Sequence, residues 1–567
     1  MNKLTRLKLT SIILFLQICT ALHAQEAAAP NWVNKVQKAI AAVTTYDKNG
    51  EMLKNGTAFF ITADGQAVAD YALFNGAYSA MVTDQSGQKS KVERILGADD
   101  TYALVKFKVN VKKATPVVQA KNRPSMNAIV FALKQTTGKI SKCPSATVSA
   151  TKLINDSIPF YTLSYATDET YLGAPLFNSN GEWIGTIQPS MGLNGYALGA
   201  EFVSQLTIKA ITSKVNNMAL NNIHIPKGLP DSAEESLVYL YIKSQSANNE
   251  EYLDMLNLFL DTYPDNAEGY RRRSTVLIDL HRFDEADNDL QSFLKLSDDK
   301  PFAYSKIADI IYTKLLYQPT PEYDKWNYDL AVEYIDKALA ERPDFIEYQL
   351  LKAQILMSGK NYAAALSIFD AINAGEGRSA ATLYAASLAH EGLGDSIDIQ
   401  IELLDSAIAT FPTPMPAEAA NYVMRRGQLY NIAGRYREAV NEYNQYCFLC
   451  NNKVSDLFYY DRSQLELKAK MYQQSLDDID KAISMAPNIK QYYIDKCALL
   501  LHVNMIDECI QTAQQLLAID ADNVDAYRIM GYAQVQKGDT DAGRKNLEHA
   551  VQLGDATAKD IIEKYLK

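Results

Sequence analysis

Between Gln25 and Ile223 the chain has no histidine; its six histidines are His23, His224, His281, His390, His502 and His549. The first two hundred residues therefore lack an imidazole, the usual general base at neutral pH and a common metal ligand. Cysteine is scarce, six in 567 residues. Only Cys447-Phe448-Leu449-Cys450 has the spacing of a redox or zinc pair. No histidine cluster or βαβ pattern accompanies it, so neither a metal site nor a thioredoxin-like centre is expected, and no cofactor. Beyond the N-terminal segment no run reaches the roughly 18–20 apolar residues that span a bilayer. Basic residues are short overall, with a net charge of -11. Yet residues 30–215 hold 19 Lys and Arg against 13 Asp and Glu, so the acid excess lies in the C-terminal part. Such a surface repels phosphates, which excludes nucleic acid as its ligand.

What is present begins with an export signal. Lys3, Arg6 and Lys8 precede a short apolar stretch over 9–21, and Ala24 offers a small residue for cleavage. Residues 1–24 thus read as a signal peptide, and the mature chain is expected in the periplasm. Cys19 follows Leu16-Gln17-Ile18. Ile18 is bulky where a lipidation box needs a small residue, so no anchor is expected at Cys19.

From 30 to 215, short runs alternate apolar and polar residues, notably 57–62, 67–71, 80–83, 103–109, 127–133 and 183–187. Turn signals such as Ala63-Asp64-Gly65, Gln85-Ser86-Gly87 and Asn178-Ser179-Asn180-Gly181 separate them. That pattern predicts an all-β barrel or sandwich.

Three blocks then carry a resemblance. They are Gly56-Thr57-Ala58-Phe59-Phe60-Ile61-Thr62-Ala63-Asp64-Gly65, Asp99-Asp100-Thr101-Tyr102-Ala103-Leu104-Val105-Lys106, and Gly173-Ala174-Pro175-Leu176-Phe177-Asn178 with Gly181-Glu182-Trp183-Ile184-Gly185. In order and spacing they resemble the trypsin-like serine proteases, especially the periplasmic heat-shock branch. The resemblance implies a double β-barrel with a His/Asp/Ser triad. Here the histidine position falls on Ala72, the aspartate position on Thr101 and the serine position on Leu172. The oxyanion-loop glycine position falls on Thr170. Alanine accepts no proton and leucine attacks no carbonyl. Ser164, Ser190, Asp168 and Glu169 lie nearby in sequence, but no neighbouring lysine stands out to activate a hydroxyl. The expectation is a pseudoprotease without catalytic residues. Tyr71, Phe74 and Leu172 are expected to make its former cleft apolar, with Tyr71 and Phe74 contacting a bound peptide.

Residues 216–231, with Pro226, Gly228 and Pro230, have linker composition. From 232 to 567 a period near 34 residues sets in. The clearest unit, 421–451, carries Gly427, Tyr430, Gly434, Tyr436, Ala439 and Tyr443. This resembles the tetratricopeptide (TPR) family and implies about nine helix pairs and a final capping helix over 556–567. An insertion at 316–327, with Pro319 and Pro321, is expected to loop out of the stack. In this register Cys497 and Cys509 occupy the eighth and twentieth positions of one unit, where its helices approach most closely. A disulfide between them is therefore expected.

The concave face, built from the first helix of each pair, is expected to present Leu350, Gln354, Met424, Gln428, Tyr460, Gln464, Arg528 and Tyr532, with Arg271, Thr275 and Ile494. Aromatics and amides of this kind suit an extended peptide or partner helix. The predicted fold class is multidomain, a trypsin-like double barrel followed by an all-α TPR solenoid. The predicted function is a secreted, non-catalytic scaffold that binds a protein or peptide partner. A periplasmic endopeptidase with an unconventional nucleophile, and a protease decoy or inhibitor, are the alternatives.

Overall fold

The computed structural model describes residues 25–210 and 214–566. The expected signal segment, with Cys19 and His23, lies outside the described residues. The chain divides into two compact units, 1–297 and 298–567.

The first unit contains two closed barrels. Strands β2 (Ile40–Tyr46), β3 (Met52–Phe60), β4 (Gln66–Asp70), β5 (Ser79–Thr83), β6 (Lys89–Asp99) and β7 (Leu104–Val109) close in the order β2-β3-β4-β7-β6-β5. Strands β8 (Ile129–Ala132), β9 (Lys142–Ile154), β10 (Ile158–Leu163), β11 (Pro175–Asn178), β12 (Trp183–Met191) and β13 (Asn194–Gly199) form the second ring. Pairing of β8 with β9 closes it, and β1 (Gln25–Ala28) adds outside β9. Every pairing is antiparallel, and closure leaves neither ring with a free edge.

Each strand predicted from alternation is present. The two longest, β6 and β9, were not, because their outward faces are charged or polar. Register shifts at Val92/Arg94 and Ile95/Gly97 also break the two-residue period of β6. Gly65 shows why the turn glycines matter. Its φ is +99°, and a Cβ there would meet the Val109 carbonyl oxygen at 2.6 Å.

Short helices α1 (Val33–Val36), α2 (Tyr71–Phe74), α3 (Glu201–Gln205) and α4 (Lys214–Asn221) decorate the barrels. The segment expected as a linker is no free tether. Ile223 and Ile225, each 1% exposed, pack into the first-barrel core with Ala219 and Leu220. The Gly76 N–H donates to the Asn222 carbonyl at 2.7 Å, and the His224 N–H to Ala77 at 2.8 Å. Ile95 exchanges bonds of 2.8 Å with Pro226 and Gly228. Proline and glycine punctuate strand ends as readily as tethers, so composition alone does not separate the two. Two helix pairs complete this unit, α5 (Ala233–Ser244) with α6 (Asn249–Thr262), and α7 (Ala267–Asp279) with α8 (Phe283–Leu296).

The second unit is helical. Its pairs are α9 (Lys300–Tyr317) and α10 (Tyr328–Glu341), α11 (Ile346–Ser358) and α12 (Tyr362–Asn373), α13 (Ala380–Leu393) and α14 (Ile397–Ile408), and α15 (Ala420–Ile432) and α16 (Tyr436–Leu449). Then come α17 (Asp456–Lys468) and α18 (Tyr472–Met485), α19 (Lys490–His502) and α20 (Ile506–Ile519), and α21 (Val524–Lys537) and α22 (Thr540–Gln552). A last helix, α23 (Ala556–Tyr565), buries Ala558 against Leu547 and Ala550.

Close approach within pairs uses small residues twelve apart, namely Ala353/Ala365, Gly427/Ala439, Ser463/Ser475 and Gly531/Gly543, all buried. A Cβ on Gly531 would meet the Gly543 carbonyl oxygen at 2.9 Å. Ion pairs recur at a spacing of sixteen, joining Arg426 to Glu442 and Arg462 to Asp478. The pair Arg273–Asp289 repeats this arrangement in the first unit. The insertion at 316–327 leaves most of its residues exposed. Trp326 is buried, and the Lys314 ammonium donates to the Pro321 carbonyl at 2.7 Å. Burying the indole and satisfying the ammonium anchor this otherwise exposed loop.

Candidate functional site

A cavity of about 450 Å³ opens on the two barrels of the first unit. One wall is the single turn α2. Its N-cap Asp70 accepts the Ala72 N–H at 2.7 Å. Tyr71 and Phe74, three residues apart on the inner face, sink into the barrel core at 7% and 0% exposure. They do not reach the cavity, and the peptide-contact role expected of them is corrected. Ala72 and Leu73, on the outer face, line it instead.

The facing wall is the loop before β11. Asp168 caps a 3₁₀ turn over Glu169–Tyr171, after which Leu172 and Gly173 lead into the strand. Gly173 has φ +72°, and a Cβ there would lie 2.4 Å from the Asp70 nitrogen. Only glycine lets these two loops touch, and their contact brings Ala72, Thr170 and Leu172 to one cavity. Thr101 is exposed in the turn between β6 and β7 and is not among the lining residues.

The backbone donors from Thr170 to Gly173 are engaged. The Thr170 N–H donates to the Asp168 carboxylate at 2.8 Å, the Leu172 N–H to the Glu169 carbonyl at 3.1 Å, and the Gly173 N–H to the Ile187 carbonyl at 3.1 Å. An oxyanion needs such amides unpaired and convergent.

Two cations that sequence reasoning missed also line the cavity. Lys54, on β3, donates to the Ala72 carbonyl at 2.7 Å. Lys134, just after β8, donates to the Thr170 hydroxyl and lies 4.5 Å from the centre of the Tyr171 ring. Neither belongs to a local motif; 36 residues separate Lys134 from Thr170, and only the fold joins them. The Thr170 hydroxyl also bonds the Asp168 side chain. That bond, with the Thr170 amide, holds the Asp168 carboxyl below its ordinary range. The chain Lys134–Thr170–Asp168 thus joins a lysine amine, a hydroxyl and a weakly basic carboxylate. Burial acts oppositely on Asp70 and raises it.

In the array, the expected concave residues differ in availability. Gln354 is exposed; Leu350, Met424, Gln428, Gln464 and Ile494 are half-buried. The Tyr460 hydroxyl donates to Asp495 at 2.5 Å, and its ring stacks on Tyr492 at 4.7 Å. Arg528 is neutralised by Asp555 at 3.0 Å and by Asp525. Tyr532 packs edge-on against Tyr565. In the first unit Arg271 pairs with Glu268, and Thr275 is exposed.

Cys497 and Cys509 meet as the register requires, but as free buried thiols, not as the expected disulfide. The Cys497 sulfur is turned to the Cys509 carbonyl oxygen at 3.7 Å. The pair fills the slot that two serines fill at 463 and 475, where the Ser475 hydroxyl donates to the Ser463 carbonyl at 2.7 Å. Among the described residues no group of acidic, cysteine or histidine side chains is arranged to hold a metal ion, and no helix is long and apolar enough to cross a membrane.

No family model matches the chain. Among curated proteins it is similar to DnaJ protein P58IPK homolog A of Oryza sativa subsp. japonica, 22% identical over 306 residues, covering 53% of this chain and 58% of that protein. It is also similar to DnaJ protein P58IPK homolog of Arabidopsis thaliana, 21% identical over 318 residues, covering 54% and 60%. The chain spans about three-fifths of the length of these relatives. Among solved structures it is similar to an HtrA-type protease with a tripeptide, at 17% identity and a TM-score of 0.27, covering 31% of this chain and 60% of that one. The curated matches are longer than the two barrels together, so they necessarily include helices of the array.

Proposed function

We propose that the protein is a non-catalytic scaffold of the periplasm that binds a protein partner along its helical array and uses the barrel pair as a second docking surface. One observation carries the non-catalytic part. At the loop where acyl transfer would need free amides, the N–H groups of Thr170, Leu172 and Gly173 are all bonded within the protein. The side chains agree, with Ala72 and Leu172 offering neither a base nor a nucleophile. The array supports the binding part. Gln354, Gln428 and Gln464 keep polar groups on a recurring helical face, amid Leu350, Met424 and Tyr460. That mixture grips an extended chain by amide hydrogen bonds and apolar contact.

The test has two arms. Purified full-length protein is assayed on labelled casein and a fluorogenic peptide library, beside Thr170→Ala. In parallel, a photo-crosslinking residue replaces Gln354, Gln428 or Gln464 in cells. The scaffold reading expects no turnover and discrete adducts from these positions, with none from exposed Lys360. A second reading, an endopeptidase using Thr170, draws on the Lys134–Thr170 hydrogen bond. Turnover abolished by Thr170→Ala would establish that reading and end the first.

A further inference from the structure

A second cavity, of about 330 Å³, lies where the barrel-docked segment 223–227 faces α5 and α6. Ile225, Pro226, Ala247 and Met255 form its apolar wall. Its ionisable side chains of either sign are Arg94, His224, Lys227, Lys243, Glu251 and Asp254. Arg94 and Asp254 cancel through two bonds of 3.0 and 3.1 Å. With histidine counted as neutral, Lys227, Lys243 and Glu251 remain, two cations and one acid, a surplus of one positive charge.

Both lysines line the cavity, and the charge on Lys243 is felt at Lys227. The Lys227 ammonium donates to the Ile223 and Ile225 carbonyls at 2.5 and 2.6 Å. An ammonium has three donors, so one is left. Lys243 lies 5.6 Å from the centre of the Tyr239 ring. Among the described residues neither lysine is within ion-pair distance of a carboxylate. Burial, and then the charge on Lys243, bring the Lys227 amine down to about 8. Two like charges in a partly desolvated cavity repel until an anion joins them.

We propose that this cavity binds a carboxylate carried on a compact apolar body, with Lys227 and Lys243 holding the oxygens and Pro226, Ala247 and Met255 holding the apolar part. The single surplus charge matches a monoanion, and Glu251 turns away a dianion such as sulfate. A free short-chain carboxylic acid and the last residue of a polypeptide with an apolar C-terminus present the same group. The site goes beyond the scaffold reading and does not depend on it.

The experiment is calorimetry on the full chain at neutral pH with four probes: hexanoate, a tripeptide ending in valine, its C-terminal amide, and sulfate. The free acids are expected to bind saturably, and the amide about tenfold more weakly or worse, because it loses a charge-assisted pair. Lys243→Met and Lys227→Met should each lower acid binding by a similar factor. Lys243 is partly exposed on a helix surface, so its variant reads out the site even if Lys227→Met fails to fold. Preference for hexanoate over the tripeptide identifies a small-molecule site; the reverse identifies capture of a chain terminus. The proposal is overturned by equal binding of acid and amide, by sulfate binding as tight as the acids, by no saturable acid binding, or by full retention in Lys243→Met. Crosslinking at Gln428 is read separately in Lys243→Met, so that a failed pocket and a failed scaffold reading stay distinguishable.

Discussion

The N–H of Leu172 donates to the carbonyl oxygen of Glu169 at 3.1 Å, closing a tight turn ahead of β11. A side chain is exchanged by one codon, but this turn is backbone. On the scaffold reading, introducing a histidine and a serine here therefore does not create acyl-transfer chemistry. The double variant Ala72→His/Leu172→Ser is expected to hydrolyse casein no faster than buffer. It should also resist labelling by a fluorophosphonate, since the amides that stabilise an oxyanion stay engaged. Covalent labelling of that variant would mean the loop reopens.

Gly173→Ala should destabilise the first unit. The residue combines φ +72° with a would-be Cβ 2.4 Å from the Asp70 nitrogen. Strain and displacement together should cost about 2–4 kcal/mol. With two compact units, unfolding is not one transition. The measurement is therefore calorimetry, with the loss expected in one transition and not the other. An unchanged trace would show that the loops part without cost.

Thiol reactivity should follow burial. Cys450 is half-buried, whereas Cys497 and Cys509 have no exposed surface. The neighbouring Cys509 thiol, and then burial, push the Cys497 thiol above its ordinary range, so it is not a thiolate at neutral pH. A maleimide should label Cys450 first and these two only on unfolding. Cys509→Ala should cost under about 1.5 kcal/mol, because Ala365 and Ala439 fill the same position in other pairs. Cys509→Leu, which adds volume at the closest approach, should cost about 1–3 kcal/mol.

Glu466 should make the array less stable as pH rises. It is 4% exposed, and one carboxyl oxygen has no hydrogen-bond partner. Burial, and then the neighbouring Asp478, raise it from its ordinary 4.5 to about 8, against the pull of Arg462. Between those values the folded chain keeps a proton that the unfolded chain has lost. Its contribution is full below about 4.5 and is lost as pH rises through about 8. Glu466→Gln keeps the neutral shape without titrating. The difference in melting temperature between variant and wild type should grow in the variant's favour from pH 5 to pH 9. A constant difference would falsify this assignment.

Removing Arg462 tests the same cluster from its other side. The guanidinium binds Asp478 at 2.5 and 2.8 Å and reaches Asn444 at 3.0 Å. Arg462→Met leaves Asp478 and Glu466 buried without a cation and should cost about 3–5 kcal/mol in the unfolding of the second unit. A loss below about 1 kcal/mol would show the pair to be solvated.

Much of the architecture was legible because it is periodic. Alternation marked the strands carrying Ala67–Val68–Ala69 and Leu104–Val105. The twelve-residue spacing of small residues places Cys497 opposite Cys509, as the fold does. The site was less legible. Tyr71 and Phe74 were assigned to the cleft from their position in a motif, but a helical turn puts them inward and Leu73 outward. Lys134 stood unnoticed because no local pattern ties it to Thr170. Pro226 and Gly228 read as a tether because the same residues end strands.

By itself, then, the sequence determined the two kinds of layer, barrel and helix pair, and the residue types at Ala72, Thr101 and Leu172, since these depend on neighbours a few positions apart. Only the tertiary structure decided which amides are spent, which cations enter the cleft and what the linker packs against. Those outcomes rest on contacts between segments tens of residues distant, such as Gly173 against Asp70. Their energies are of the same order as the alternatives, so no local propensity fixes them.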